Sequence, residues 1–179
     1  MLTGTVVDEF ENREESIVIR YPVMADAEDL MELLNSLVDE GAKIGRQEKT
    51  DLDGEVGWIG EQLVDIEKGK MVALVLEVEG KVVGNARVTL CRQEHMADFD
   101  ISVREGFRGR GLGERLMDAV MEEAVARLGI EILKLKVYAD NEPAISLYEK
   151  KGFEVAGRIS DAVKHHGDYV DEVIMVRKV

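Results

Sequence analysis

The segment Val103-Arg104-Glu105-Gly106-Phe107-Arg108-Gly109-Arg110-Gly111-Leu112-Gly113 joins a run of strand period to a run of helical period. Upstream, Met96 to Val103 places Phe99, Ile101 and Val103 on one face and Asp98, Asp100 and Ser102 on the other, the alternation of a strand. Downstream, Leu116, Ala119, Val120, Ala124 and Leu128 recur at helical spacing between Leu112 and Leu128, and Gly129 ends the helix. Glycines at 109, 111 and 113 let the backbone turn tightly and come close to a ligand, and the helix that follows aims its unpaired N–H groups at the same place. That combination is an anion cradle. Arg104, Arg108, Arg110 and Arg115 surround it, so a locally positive site is expected, suited to a pyrophosphate. A nucleotide P-loop needs Lys and Ser or Thr after its last glycine, where Glu114 and Arg115 stand; a dinucleotide fingerprint needs a glycine where Leu116 stands.

Working outward, Ile17, Ile19 and Tyr21 alternate as a half-buried strand, and Leu30, Leu33, Leu34, Leu37 and Val38 form one face of a helix that Gly41 closes. Lys43 to Asp53 reads as a loop, and Val56, Ile59, Leu63 and Ile66 as a second helix ending near Gly69. Met71 to Val78 and Lys81 to Leu90 flank Glu79-Gly80 as a hairpin. Ile132 to Tyr138 is a strand, Pro143 opens a short helix stopped at Gly152, and Phe153 to Ile159 and Tyr169 to Val176 are two further strands. The order is strand, two helices, three strands, helix, strand, helix, two strands, which predicts an α/β protein with a mixed sheet.

The 179 residues suffice for a substantial core without disulfides or a structural metal. Lys and Arg number 23 against 37 Asp and Glu, a net charge of −14 that repels polyanions and anionic lipid and disfavours a general nucleic-acid binder. The longest apolar run, Met71 to Leu76, falls far short of the roughly 20 residues that span a bilayer. An acidic start at Asp8, Glu9 and Glu11 is unlike a secretory signal, and the single Cys91 fits a reducing compartment, so the expected location is cytoplasmic. Asp51, Asp53 and Gly54 do not make a calcium loop, because Val56 and Gln62 hold the positions that need Gly and Glu. His165, His166, Cys91 and His95 lack zinc spacing, and no metal is expected.

Arg108, Gly111 and Gly113 fit the pattern Gln or Arg, two residues, Gly, one residue, Gly or Ala. A second segment, Asn141-Glu142-Pro143-Ala144-Ile145-Ser146-Leu147-Tyr148-Glu149-Lys150-Lys151-Gly152-Phe153, carries Asn, Ala, Leu-Tyr and Gly-Phe in order. In both motifs, and in its order of elements, the chain resembles the GNAT superfamily of acyl-CoA-dependent N-acetyltransferases. Residues 1–15, polar, acidic and without periodicity, read as a tail or a loosely attached extra strand, and the resemblance implies 16–179 as one N-acetyltransferase domain. It implies acetyl-CoA as cosubstrate, with the main chain of Ile101, Ser102 and Val103 pairing with the pantetheine arm. Backbone N–H groups from Arg108, Gly109, Arg110, Gly111, Leu112 and Gly113 would hold the pyrophosphate. Asn141, with Ala144, would meet the pantetheine, and Tyr148 would aim its hydroxyl at the thioester sulfur. A homodimer is compatible with the resemblance.

Acyl transfer needs a neutral amine, a polarised carbonyl and a protonated leaving thiolate. Asp98 and Asp100, with Glu94 ahead of them, are the candidates to take the amine's proton, directly or through water. A phenol of pKa about 10 matches the thiol it must protonate, which makes Tyr148 the candidate general acid. For the acceptor, Lys136 stands where branches of the family that acetylate protein N-termini carry Glu, which lowers that reading. Asp51, Asp53, Asp161 and Asp168 lie in the segments Lys43 to Gly54 and Ser160 to Tyr169, expected to flank the acceptor cleft, and favour a small cationic amine. A protein N-terminal or lysine acetyltransferase and a non-catalytic acyl-CoA sensor stay open.

Overall fold

The computed structural model describes residues 1–179. Its elements are β1 (Val6–Asn12), β2 (Glu15–Arg20), a 3-10 turn at Met24–Asp26, α1 (Ala27–Asp39), α2 (Leu52–Glu67), β3 (Met71–Val78), β4 (Lys81–Leu90) and β5 (Met96–Val103). Then come α3 (Leu112–Leu128), β6 (Ile132–Tyr138), α4 (Glu142–Lys150), β7 (Glu154–His165) and β8 (Asp168–Lys178). This is the mixed α/β architecture expected from the sequence. The chain divides into two compact units, one of residues 1–89 and 100–129, the other of residues 90–99 and 130–179.

In the first unit the strand order is β1-β2-β3-β4-β5. The β1/β2, β2/β3 and β3/β4 ladders are antiparallel, with a bulge between Leu76 and Glu77. Ala27, Leu30, Leu33 and Leu37 of α1 pack with Ile59 of α2, Val75 and Val82, and Trp58 and Leu63 close over them. That is the face the helical spacing predicted. Arg20 ties β2 to the 3-10 turn and to β3, with Nη2 at 2.8 Å from both Asp26 Oδ1 and Glu77 Oε2. Gly84 of β4 is where two strands approach closely: a Cβ there would stand 3.0 Å from the Ser102 carbonyl oxygen.

In the second unit the order is β5-β6-β8-β7, with β5 and β6 parallel and the β6/β8 and β7/β8 ladders antiparallel. Its core holds Leu133, Leu135, Phe153 and Met175, all nearly inaccessible. The β5/β6 register covers Met96 to Asp98.

Two features differ from the sequence expectations, and of the two alternatives for residues 1–15, tail or extra strand, the structure has the strand. Helix α2 begins at Leu52, with Asp51 as N-cap accepting from Gly54 N at 2.8 Å, so the predicted loop ends two residues early. Ser160 to Tyr169 is chiefly paired strand: Val163, Lys164 and His165 face Val170, Tyr169 and Asp168, and the turn is confined to His166 and Gly167. Alternation did not reveal it, because this exposed hairpin has no apolar face to bury. The acidic Val6–Asn12 forms β1, antiparallel to β2. No helix is long and apolar enough to cross a membrane.

Candidate functional site

Within the first unit, β5 stops where the Arg104 amide donates to the Val83 carbonyl at 2.8 Å. The chain then turns through Gly106, Gly109 and Gly111 at φ of 85°, 69° and 78°, backbone that side chains other than glycine seldom adopt. Gly111 is itself the N-cap of α3 and has no side chain to satisfy the first amides of the helix. A Cβ on Gly109 or Gly111 would meet nothing within 4 Å, so the backbone there faces open space. Gly113 instead packs inward, where a Cβ would stand 3.3 Å from Val103 Cγ2, and Leu112 is buried. Free helix amides, a positive dipole end and bare main chain form a cradle for an anion.

The arginines do not make this loop a patch of free positive charge, as its composition had suggested. Arg108 donates from Nε to the Val103 carbonyl at 2.7 Å and from Nη2 to Glu40. Arg110 is ion-paired with Glu15, lies over the Phe107 ring and is 11% exposed. Arg115 forks onto Asp8, at 2.5 and 3.0 Å, and Arg104 lies 3.9 Å from Glu32. The Arg115 guanidinium holds the Asp8 carboxyl below its ordinary range, chiefly through their hydrogen bond. Each of the four guanidiniums thus has an acidic side chain within 4 Å, while the main chain at Gly109 and Gly111 faces open space.

Asp100 lies in the first unit and is ion-paired with Arg87 at 3.1 Å, whose guanidinium in turn sits over Trp58. Glu55, absent from the candidates drawn from sequence, is 3% exposed. Its Oε2 has no hydrogen-bond partner and lies 3.7 Å from Arg46 Nη1, too long for one. Burial raises its carboxyl pKa above the ordinary 4.5. The spacing 55, 59, 62, 66 would have placed it on the inward face of α2, beside Ile59 and Ile66.

In the second unit, Tyr148 sits on α4, half-buried, its ring edge-on to Phe99 with centroids 6.2 Å apart and 6.0 Å from Phe153. Packing fixes the ring of a phenol that is still partly accessible. Asn141 occupies the N-cap position of α4 but its side chain does not cap the helix, which leaves the carboxamide for another partner; Ala144 lies one turn on. Asp98 is engaged twice, by Lys134 Nζ at 3.0 Å and by the Cys91 thiol at 3.3 Å. Burial, with Asp98 adding to it, pushes the Cys91 thiol up. Glu94 is exposed in the turn before β5. Lys136 pairs with Glu172 at 3.0 Å.

Of the acidic residues expected near the acceptor, Asp51 is committed to capping α2. Asp161 has φ of 53° and its amide donates to Asp171, which also holds Arg158.

Strand β5 running through a glycine-rich turn into α3, with β6 and α4 following in sequence, is the element order of a group-transfer fold. The chain belongs to the acetyltransferase (GNAT) family, whose sequence profile matches residues 32–153. It is an N-acetyltransferase by that membership. The L-amino acid N-acetyltransferase AaaT of Escherichia coli is 36% identical over 107 residues, covering 58% of this chain and 66% of that protein, just under two thirds of it. The L-methionine sulfoximine/L-methionine sulfone acetyltransferase of Pseudomonas aeruginosa is 24% identical over 164 residues, 89% of this chain and 93% of that one. A crystal structure of ribosomal-protein-alanine N-acetyltransferase from Brucella melitensis superimposes with a TM-score of 0.81 at 27% identity, covering 90% of this chain and 99% of that one.

Proposed function

We propose that this protein transfers the acetyl group of acetyl-CoA to the primary amine of a small acceptor, a cationic amine or an amino acid, by direct attack in a ternary complex. The observation that carries the reading is the glycine cradle at the N-terminus of α3, where bare backbone at Gly109 and Gly111 meets the free helix amides. Main-chain groups of Arg108 to Gly113 hold the pyrophosphate. Those of Ile101, Ser102 and Val103, beyond the part of β5 that the β6 register uses, pair with the pantetheine arm, and Asn141 and Ala144 lie along it.

The acceptor amine attacks the thioester carbonyl, a C–N bond forms and the C–S bond breaks. Tyr148 gives its phenolic proton to the departing sulfur, and the proton released by the amine leaves through water to a strand carboxylate. Asp98 and Asp100 are the candidates for that carboxylate: each is ion-paired, Asp98 with Lys134 and Asp100 with Arg87, and each keeps about half of its side chain exposed to water. Two of the similar proteins are named for amino-acid acceptors, which supports a small acceptor.

A protein N-terminus is the second reading, favoured by the Brucella melitensis relative and opposed by Lys136, which pairs with Glu172. Thiol release from acetyl-CoA, corrected for hydrolysis, over a panel of amines, amino acids and peptides decides between them. Turnover with small acceptors supports the proposal, turnover with peptides alone supports the second reading, and CoA binding without turnover on any acceptor would leave a sensor.

A further inference from the structure

The first hairpin reaches the cradle from outside with four side chains. Asp8, Phe10 and Asn12 alternate along β1 and so share one face. Asp8 takes both Arg115 donors, and the Phe10 ring lies 3.6 Å beneath the same guanidinium. Asn12 Nδ2 donates to the carbonyl oxygen of Arg110 at 3.2 Å, and Glu15, at the start of β2, accepts from the Arg110 side chain. Arg110 in turn covers Phe107, so the middle of the loop is fastened through both main chain and side chain.

A loop with three glycines at positive φ has much conformational freedom to lose. Whatever holds it in the cradle conformation beforehand removes that loss from the binding step. The two guanidiniums that composition would assign to phosphate are turned toward the hairpin instead.

We propose that the β1–β2 hairpin is a positioning element of the cosubstrate site: Asp8, Asn12 and Glu15 brace the loop so that its main chain is ready for the pyrophosphate, and Arg110 and Arg115 hold the loop rather than the ligand. This rests on reading the loop as the acetyl-CoA cradle. The opposite role for the same contacts, carboxylates competing with phosphate for the arginines, predicts effects of opposite sign.

The test uses the full chain carrying Asp8→Asn with Glu15→Gln. Bracing predicts that Kd for CoA and KM for acetyl-CoA rise by about fivefold to tenfold while kcat at saturation holds, because ordering the loop is moved into the binding step. Amide hydrogen exchange over residues 106–111 should quicken while α1 and the body of α3 stay protected. A second variant exchanges the pair, Asp8→Arg with Arg115→Asp: either change alone weakens CoA binding, and the two together restore it. If the double variant does not fold, Asn12→Ala removes one loop contact without altering charge and should show the same KM rise on a smaller scale.

Tighter CoA binding after the carboxylates are neutralised would overturn bracing in favour of competition. A charge-exchanged protein that stays weak would return Arg115 to the phosphate and overturn it as well. Wild-type affinity in the neutralised variant would overturn the bracing alone, whereas a wild-type chain with no affinity for CoA would refute the cradle reading and take this proposal with it.

Discussion

Replacing Gly111 separates a ligand cradle from a helix cap, because α3 carries a matched control at its other end. Gly111 and Gly129 cap the two ends of the helix, both in the left-handed region at φ of 78° and 64°, and a Cβ on either would meet nothing within 4 Å. A residue with a Cβ costs about 1–2 kcal/mol in that conformation, so valine should destabilise the fold similarly at the two positions. Eighteen steps of about 1.5 Å from Gly111 to Gly129 put the caps about 27 Å apart. The difference between the two variants is then what the site adds. At Gly111 the new Cβ and its methyls stand where the pyrophosphate must approach, and relieving the strain would turn the first amides of α3 aside.

CoA binding by calorimetry should weaken at least tenfold in Gly111→Val, about 1.4 kcal/mol or more, and stay at the wild-type value in Gly129→Val. Thermal unfolding of both reports the shared strain. If Gly111→Val binds CoA as the wild type does while its melting temperature falls as in Gly129→Val, the loop is a turn and cap, and its glycines serve backbone geometry alone.

Three further outcomes follow from the same residues. Tyr148→Phe keeps the packing against Phe99 and Phe153 and removes the proton, so kcat should fall by about 10² with little change in melting temperature; loss of stability in proportion to activity would make Tyr148 a packing residue. Burial raises the Glu55 carboxyl, so its protonated form favours the fold at low pH and that contribution is lost as pH rises from 4.5 through the raised value. Glu55→Gln should therefore gain stability relative to wild type as pH rises from 4.5 through the raised value, measured by urea unfolding, and a flat difference would show that the carboxylate finds a partner. With a net charge of −14, cationic acceptors should give higher kcat/KM than acidic peptides, and the preference should shrink as salt shortens a Debye length of about 10 Å at 0.1 M; acidic peptides acetylated faster across that range would overturn it.

Local periodicity made most of the fold legible. Strand β5 and helix α3 are visible in sequence because each must bury one face, and alternation or 3.6-residue spacing records which. Where an element has little to bury, the record is missing: Val163 to His165 pair with β8 through their backbone, and none of Ser160 to His165 is buried. β1 is legible only as a tail or an extra strand for a related reason, since Asp8, Phe10 and Asn12 on one face answer to α3 and the loop rather than to a core.

The site divides along the same line. Glycine reports on its own backbone, so Gly109 and Gly111 could be read as a bare turn into a helix without knowing anything distant, and the structure gives them left-handed conformations and open space. An arginine's role depends on what faces it, and the partners of Arg108, Arg110 and Arg115 lie 68, 95 and 107 residues away, brought there by folding of the chain. Composition counted these guanidiniums as free charge; geometry makes them fasteners. Glu55 shows the converse, an acid at a helix start that composition treats as ordinary, while its burial makes it costly to keep charged. A cradle that binds through main-chain amides, with its arginines already paired, should lose little affinity for CoA as salt rises, whereas acceptor preference should lose much; the two salt dependences, measured on one preparation, test whether charge here selects the amine and backbone holds the cosubstrate.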